Sequence, residues 1–182
     1  TTGANNSSFW DLSLSSNTTG TNNTGVGYKA QVPSGIANNQ VRIGNTSVTY
    51  AGVQVAWTIT SDRRWKSNKS NSNLGLSFIN KLRPVTYTRN IDECGKTEYG
   101  VIAQEVEEVL KSEGVKNTGM LTVTDEGEYQ LRYNDLIAPM IKAIQELKSE
   151  NDELKDKLAK FEEMQSVNRI KEILNGIKIK KQ

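Results

Sequence analysis

Histidine is absent from the chain and cysteine occurs once, at Cys94. The first absence removes the commonest general base and metal ligand, so a Ser–His–Asp triad is excluded and no metal or cofactor is expected. The second excludes an intrachain disulfide and suits a reducing cytoplasm. No apolar run reaches the roughly 18 residues that a membrane span needs, and Thr1 opens no signal-peptide pattern. Neither a span nor an export signal is therefore expected, and the start reads as the middle of something longer. A Gly-rich phosphate loop ending in Lys-Ser/Thr is missing too, which disfavours a nucleotide enzyme. A net charge of +2 lacks the strong basic excess of a dedicated nucleic-acid surface, and the tail residues Lys178, Lys180 and Lys181 read as a solvated end. Apolar residues make up 35% of the 182, little for a single compact core in a chain long enough for one ordinary domain or two small ones. Part of the chain is expected to bury apolar surface against other subunits or to stay extended.

What is present is an abrupt change of character at Ser61-Asp62-Arg63-Arg64-Trp65-Lys66. A tract rich in Asn, Thr, Gly and Ser precedes it, and a charged chain with helical periodicity follows. A hydroxyl and an amine five residues apart at such a junction fit a Ser–Lys dyad that cuts its own backbone. The same spacing fits a plain strand-to-helix turn with both side chains solvated, and spacing alone leaves both readings open.

Three regions follow from composition. Residues 1–60 read as a β-structured fibre or stalk end rather than a disordered linker. Asn22–Ala30 and Val41–Asn45 form short strands between glycine turns, with Val26, Tyr28, Val41 and Ile43 alternating at period two. Val48, Tyr50, Val53, Val55, Trp57 and Ile59 extend the pattern. So polar a ladder is expected to gain stability when three copies wrap together. Residues 61–133 read as a small α+β head: a helix over Leu74–Leu82 stopped by Pro84, a strand at Val85–Thr88, an amphipathic helix from Val101 to Leu110 ended near Gly114, and a hairpin of Leu121–Val123 with Tyr129–Tyr133 around Asp125-Glu126-Gly127. Residues 134–182 begin with a long helix over 134–165, capped by Asn134. Ile137, Ile144, Asn151 and Leu158 alternate with Met140, Leu147, Leu154 and Phe161 as a heptad seam, which predicts a trimeric coiled coil. Val167, Ile170, Leu174 and Ile177 form a second stripe, read as a short helix that folds back or caps the bundle.

Four segments taken in order carry a resemblance: Ser61–Lys66, Ile79–Tyr87, Tyr99–Val106, and Tyr133–Ala138 with Ile144–Leu147. Together they resemble the C-terminal intramolecular chaperone domain of bacteriophage tailspikes, tail fibres and neck appendages, an autoprocessing module also similar to one in endosialidases and in some eukaryotic membrane-bound transcription factors. The resemblance covers about residues 41–160. It places the family's nucleophilic serine on Ser61 and its lysine on Lys66, with Asp62 and Arg64 also in place. Trp65 stands where a smaller aliphatic residue is more usual, and no proline follows Leu110.

The resemblance implies a homotrimer in which this module registers three fibre chains and then releases itself, a single-turnover serine endopeptidase with no cofactor. It implies a virion tail fibre or spike precursor assembled in the host cytoplasm, with a fibre body upstream of Thr1 and no nucleic-acid or membrane partner. In that chemistry a desolvated Lys66 would take the Ser61 proton, with Arg63 or Arg64 supporting it by like-charge repulsion. Attack on the Thr60 carbonyl closes a five-membered ring and gives an ester, whereas the resemblance places the break at Ser61–Asp62. The alternative is a permanent, non-cleaving trimerisation domain or the receptor-binding tip of a viral fibre, for which Phe9 and Trp10 are the weak aromatic candidates.

Overall fold

A ladder of parallel rungs forms the N-terminal part of the protein. In the computed structural model, which describes residues 2–92 and 94–179, strands β1 (Ser7–Phe9), β2 (Thr24–Val26) and β3 (Val41–Ile43) lie side by side, Ser7 opposite Thr24 and Thr24 opposite Val41. Side-chain bonds repeat at the same 17-residue offset: Asn22 Nδ2 donates to Asn39 Oδ1, and the Gln40 amide donates to Asn23 Oδ1. Asn5, Asn22 and Asn39 all take positive φ, at 57°, 60° and 60°. Asparagine tolerates that left-handed conformation better than most residues.

The expected face of this ladder needs correction. Val26, Tyr28, Val41 and Ile43 are exposed, and the interior is built from Asn23, Ala30 and Val32. With strands of three residues joined by frequent turns, a rung has many backbone groups to satisfy. Amide side chains do this: Asn23 Nδ2 donates to both Asn17 Oδ1 and Ala37 O at 2.9 Å. Strand β1 and the rung period were not expected from the sequence. The predicted extension over Val48–Ile59 is not a strand. It stays exposed, with Tyr50 85% and Trp57 73% accessible, because the ladder offers it no neighbour beyond β3 among the described residues.

The head is α+β as expected. Helix α1 (Leu76–Lys81) precedes β4 (Val85–Tyr87), which pairs antiparallel with an unforeseen strand, β5 (Glu98–Gly100). Helix α2 (Ala103–Ser112) buries Val106 and Leu110 and stops at Gly114, whose φ of 76° suits glycine. Its ends are tied by ion pairs of Arg83 with Glu105 and of Lys81 with Glu113. The hairpin of β6 (Leu121–Val123) and β7 (Tyr129–Leu131) packs against α2, and Tyr129 Oη donates 3.2 Å to Glu107.

Contacts divide the chain into two units. The ladder, the Ser61 region and Asn80–Leu136 belong to one. The other joins Ser72–Ile79 to the long helix α3 (Ile137–Ile179). There the Glu146 carboxylate accepts from the Leu76 amide at 2.6 Å. Asn134 does not cap α3; it lies inside a 3-10 turn, Tyr133–Leu136, that precedes it. Nor does a short second helix follow. Although the apolar phase slips after Phe161, no proline or glycine interrupts residues 162–175, so α3 runs on. Its seam is bare: Ile137, Met140, Ile144, Leu147, Leu154, Leu158 and Phe161 are all exposed, Ile144 64% so. Lys180 and Lys181 lie outside the described residues, as do the side chains of Leu174 and Ile177. No described helix is long and apolar enough to cross a membrane.

Candidate active site

The turn around Ser61 is made by one aspartate. Asp62 takes extended backbone angles (φ −63°, ψ 139°), and its Oδ1 accepts from the Arg64 amide at 2.8 Å. That is an N-cap, and it starts a single 3-10 turn, Arg63–Trp65. The Trp65 amide then donates to Asp62 O and the Lys66 amide to Arg63 O, at 3.1 and 3.2 Å. A 3-10 turn advances about three residues per revolution, so it folds Lys66 back over the residue before the cap. The result is a distance of 2.7 Å between Lys66 Nζ and Ser61 Oγ, with the amine donating to the hydroxyl.

The same carboxylate is held a second time. The Arg64 guanidinium forks onto Asp62, Nε at 3.1 Å from both oxygens and Nη2 at 2.7 Å from Oδ2. This fork, then the Arg64 amide, holds the Asp62 carboxyl below the ordinary carboxylate range, and Asp62 in turn raises Arg64.

Of the residues singled out by sequence, Ser61, Asp62, Arg64 and Lys66 come together in one turn. Arg63 begins the 3-10 segment and is exposed, and Thr60 precedes it in exposed chain. Arg64 is bound to Asp62 rather than to the dyad. The capping function of Asp62 was readable in principle, since aspartate two residues before a backbone turn is a common cap. Lys69 was missed: its Nζ donates 2.7 Å to Lys66 O and braces the far side of the turn. Both members of the Ser–Lys pair are exposed in a single chain. Among the described residues, no group of three or more His, Cys, Asp or Glu is placed to hold a metal ion.

A serine hydroxyl within hydrogen-bond reach of an amine is the geometry that general-base activation requires. What that pair lacks in one chain is cover from water. No curated protein matches the chain. Residues 61–115, which hold this turn, α1, β4, β5 and α2, match the Peptidase_S74 family model, chaperone of endosialidase, and so support the C-terminal intramolecular chaperone domain that the sequence motifs resemble.

Proposed function

We propose that this protein is the end of a phage tail fibre or spike joined to an intramolecular chaperone that trimerises the fibre and then cuts itself free beside Ser61. The observation that carries the reading is the 2.7 Å approach of Lys66 Nζ to Ser61 Oγ within the matched segment. Lys66, as the neutral amine, takes the hydroxyl proton; the alkoxide adds to a carbonyl carbon; the ammonium so formed returns the proton to the leaving nitrogen; water then hydrolyses the ester. Within one chain Ser61 Oγ closes a five-membered ring on the Thr60 carbonyl but a strained four-membered ring on its own. A break at Ser61–Asp62, the bond the resemblance favours, therefore calls for Ser61 of a neighbouring chain or a water held by the dyad.

Assembly fits this chemistry. A dyad works best where water is excluded, and three chains would supply cover that one chain does not. The bare seam of α3 and the exposed Tyr50, Val55, Trp57 and Ile59 are apolar surface of the kind that marks an interface. A homotrimer buries both. Long parallel ladders nucleate slowly because their contacts are non-local. A terminal clamp supplies register and local concentration, and its removal makes the path back kinetically inaccessible.

The test is a denaturing gel of fresh and aged protein with mass spectrometry of the pieces. Wild type should split beside Ser61. Ser61→Ala, Lys66→Ala and Lys66→Arg should each remain whole, the last because guanidinium does not release its proton. A Ser61→Ala protein that still splits at this place would end the reading, and a wild type that never splits would favour a permanent trimerisation domain.

A further inference from the structure

The ladder stops at β3, yet the amide that faces the next rung is not left to solvent. At the turn between Val32 and Asn38, an amide of one rung donates to a carbonyl of the following rung: Thr18 N–H bonds Gly35 O at 2.9 Å. Gly35 occupies the equivalent place one rung later. Its amide donates instead to Asp125 Oδ2, at 2.8 Å and 90 residues away in sequence. Asp125 sits at the tip of the β6–β7 hairpin, and its own amide donates 2.8 Å to Pro33 O. The two bonds are reciprocal, tip to turn and turn to tip.

Both sides are already shaped for the contact. The tip is closed by Thr124 N–H to Glu128 O and Gly127 N–H to Thr124 O, each 2.9 Å, and by the Glu128 amide on Thr124 Oγ1 at 3.1 Å. The receiving turn is held by Gln40, whose Oε1 accepts from the Ser34 amide at 3.1 Å and whose Nε2 donates to Ser34 O at 2.7 Å. Little ordering remains to oppose binding.

We propose that the β6–β7 tip is a docking surface for the open end of the ladder, Asp125 standing in for the carbonyl of a following rung, and that it keeps the head bound to the fibre segment once the backbone between them is broken. Pro33 and Gly35 lie on the fibre side of Ser61 and Asp125 on the head side. The consequence thus rests on the proposed cut, while the geometry does not. An open ladder edge is a template for unwanted pairing, and solenoid ends need cover. A carboxylate accepting from a backbone amide is a charge-assisted bond, stronger than the neutral bonds between rungs. The head therefore covers the end it helped to register and leaves when this contact opens.

The experiment separates the two ideas. Full-length Ser61→Ala protein carries a site-specific protease sequence inserted between Gly52 and Val53 in the exposed segment, so the break does not depend on the dyad. After digestion, the pieces are run on a native sizing column, and amide exchange at Gly35 is followed in the undigested protein. Wild-type Asp125 should hold the pieces together and protect Gly35. Asp125→Asn, which keeps an accepting oxygen, should do the same within a few-fold. Asp125→Ala should release the head and speed Gly35 exchange at least tenfold. Pieces that separate with Asp125 present, or that stay together with Gly35 equally protected in Asp125→Ala, overturn the proposal. A wild-type Ser61 protein that never cuts itself, alongside the expected column result, would remove the autoprotease and leave the docking surface standing.

Discussion

Asp62 shapes the Ser61 turn twice over, because it caps the backbone and anchors Arg64 with one carboxylate. The pH dependence follows with its sign. A carboxyl whose folded value is depressed contributes stability that is present above its ordinary value, 3.8 here, and is lost as pH falls through the lower folded value. Arg64→Gln removes the largest cause of the depression, so the loss should move upward toward the ordinary carboxylate range. A titration following the Arg64-position amide by NMR should show that upward shift. An unchanged midpoint would mean that the fork does not hold the turn. Ser61 and Lys66 stand out as a motif in the sequence, whereas the cap that folds them together shows only faintly there, in the aspartate ahead of the turn. A D-x-R string is only a cap once the chain on either side is known to leave helical and strand conformations, and that is a property of the turn rather than of the letters.

At the scale of elements, the helices were the legible part. Val106 and Leu110 recur at helical spacing and are the residues α2 buries. Strand β5 was not legible, since Glu98-Tyr99-Gly100 has no apolar alternation. It is secured by the Arg89–Glu98 ion pair at 2.8 Å and by the Tyr133 hydroxyl, which accepts from the Val101 amide next to it at 3.2 Å, partners that no local pattern reveals. The short helix α1 also borrows its start from far along the chain. Glu146 accepts from the Leu76 amide, and that bond, then Lys142, holds its carboxyl below the ordinary range. A Cβ at Gly75 would collide with the same carboxylate. Glu146→Ala removes that cap and should be read as a lower denaturant midpoint with unchanged slope. A larger effect belongs to the seam. Leu147→Asp with Leu154→Asp places charges where partner helices are proposed to meet, and an unpaired buried charge costs several kcal/mol. Under the proposed assembly, light scattering should report a trimer for the parent and a monomer for the variant, and the proposed self-cutting should fall with it. A monomeric variant that cuts at the full rate would place a complete active site within one chain.

At the scale of the whole molecule, the ladder and the head solve opposite problems. The head has a small apolar core that includes Val106, Leu110 and Met120. The ladder buries Asn17 and Asn23 beside Leu14, Ala30 and Val32 and leaves Val26, Tyr28, Val41 and Ile43 outside, so its rungs rely on stacking. The low apolar content pointed to this division, while the 17-residue rung stayed hidden because the inward positions mix Asn17, Asn23 and Ser13 with Leu14, Ala30 and Val32 rather than forming a hydrophobic repeat. That rung also makes length a quantised property of this ladder. Each winding returns asparagine to the left-handed positions at Asn5, Asn22 and Asn39 and returns an amide to the interior. The chain can therefore be lengthened only in whole windings, like a screw thread that accepts full turns. Duplicating residues 22–38 should give a longer protein that melts near the parent and still presents its last turn to the head. An insertion one residue shorter would rotate every interior amide toward the surface, and it should melt well below the parent in the same scan.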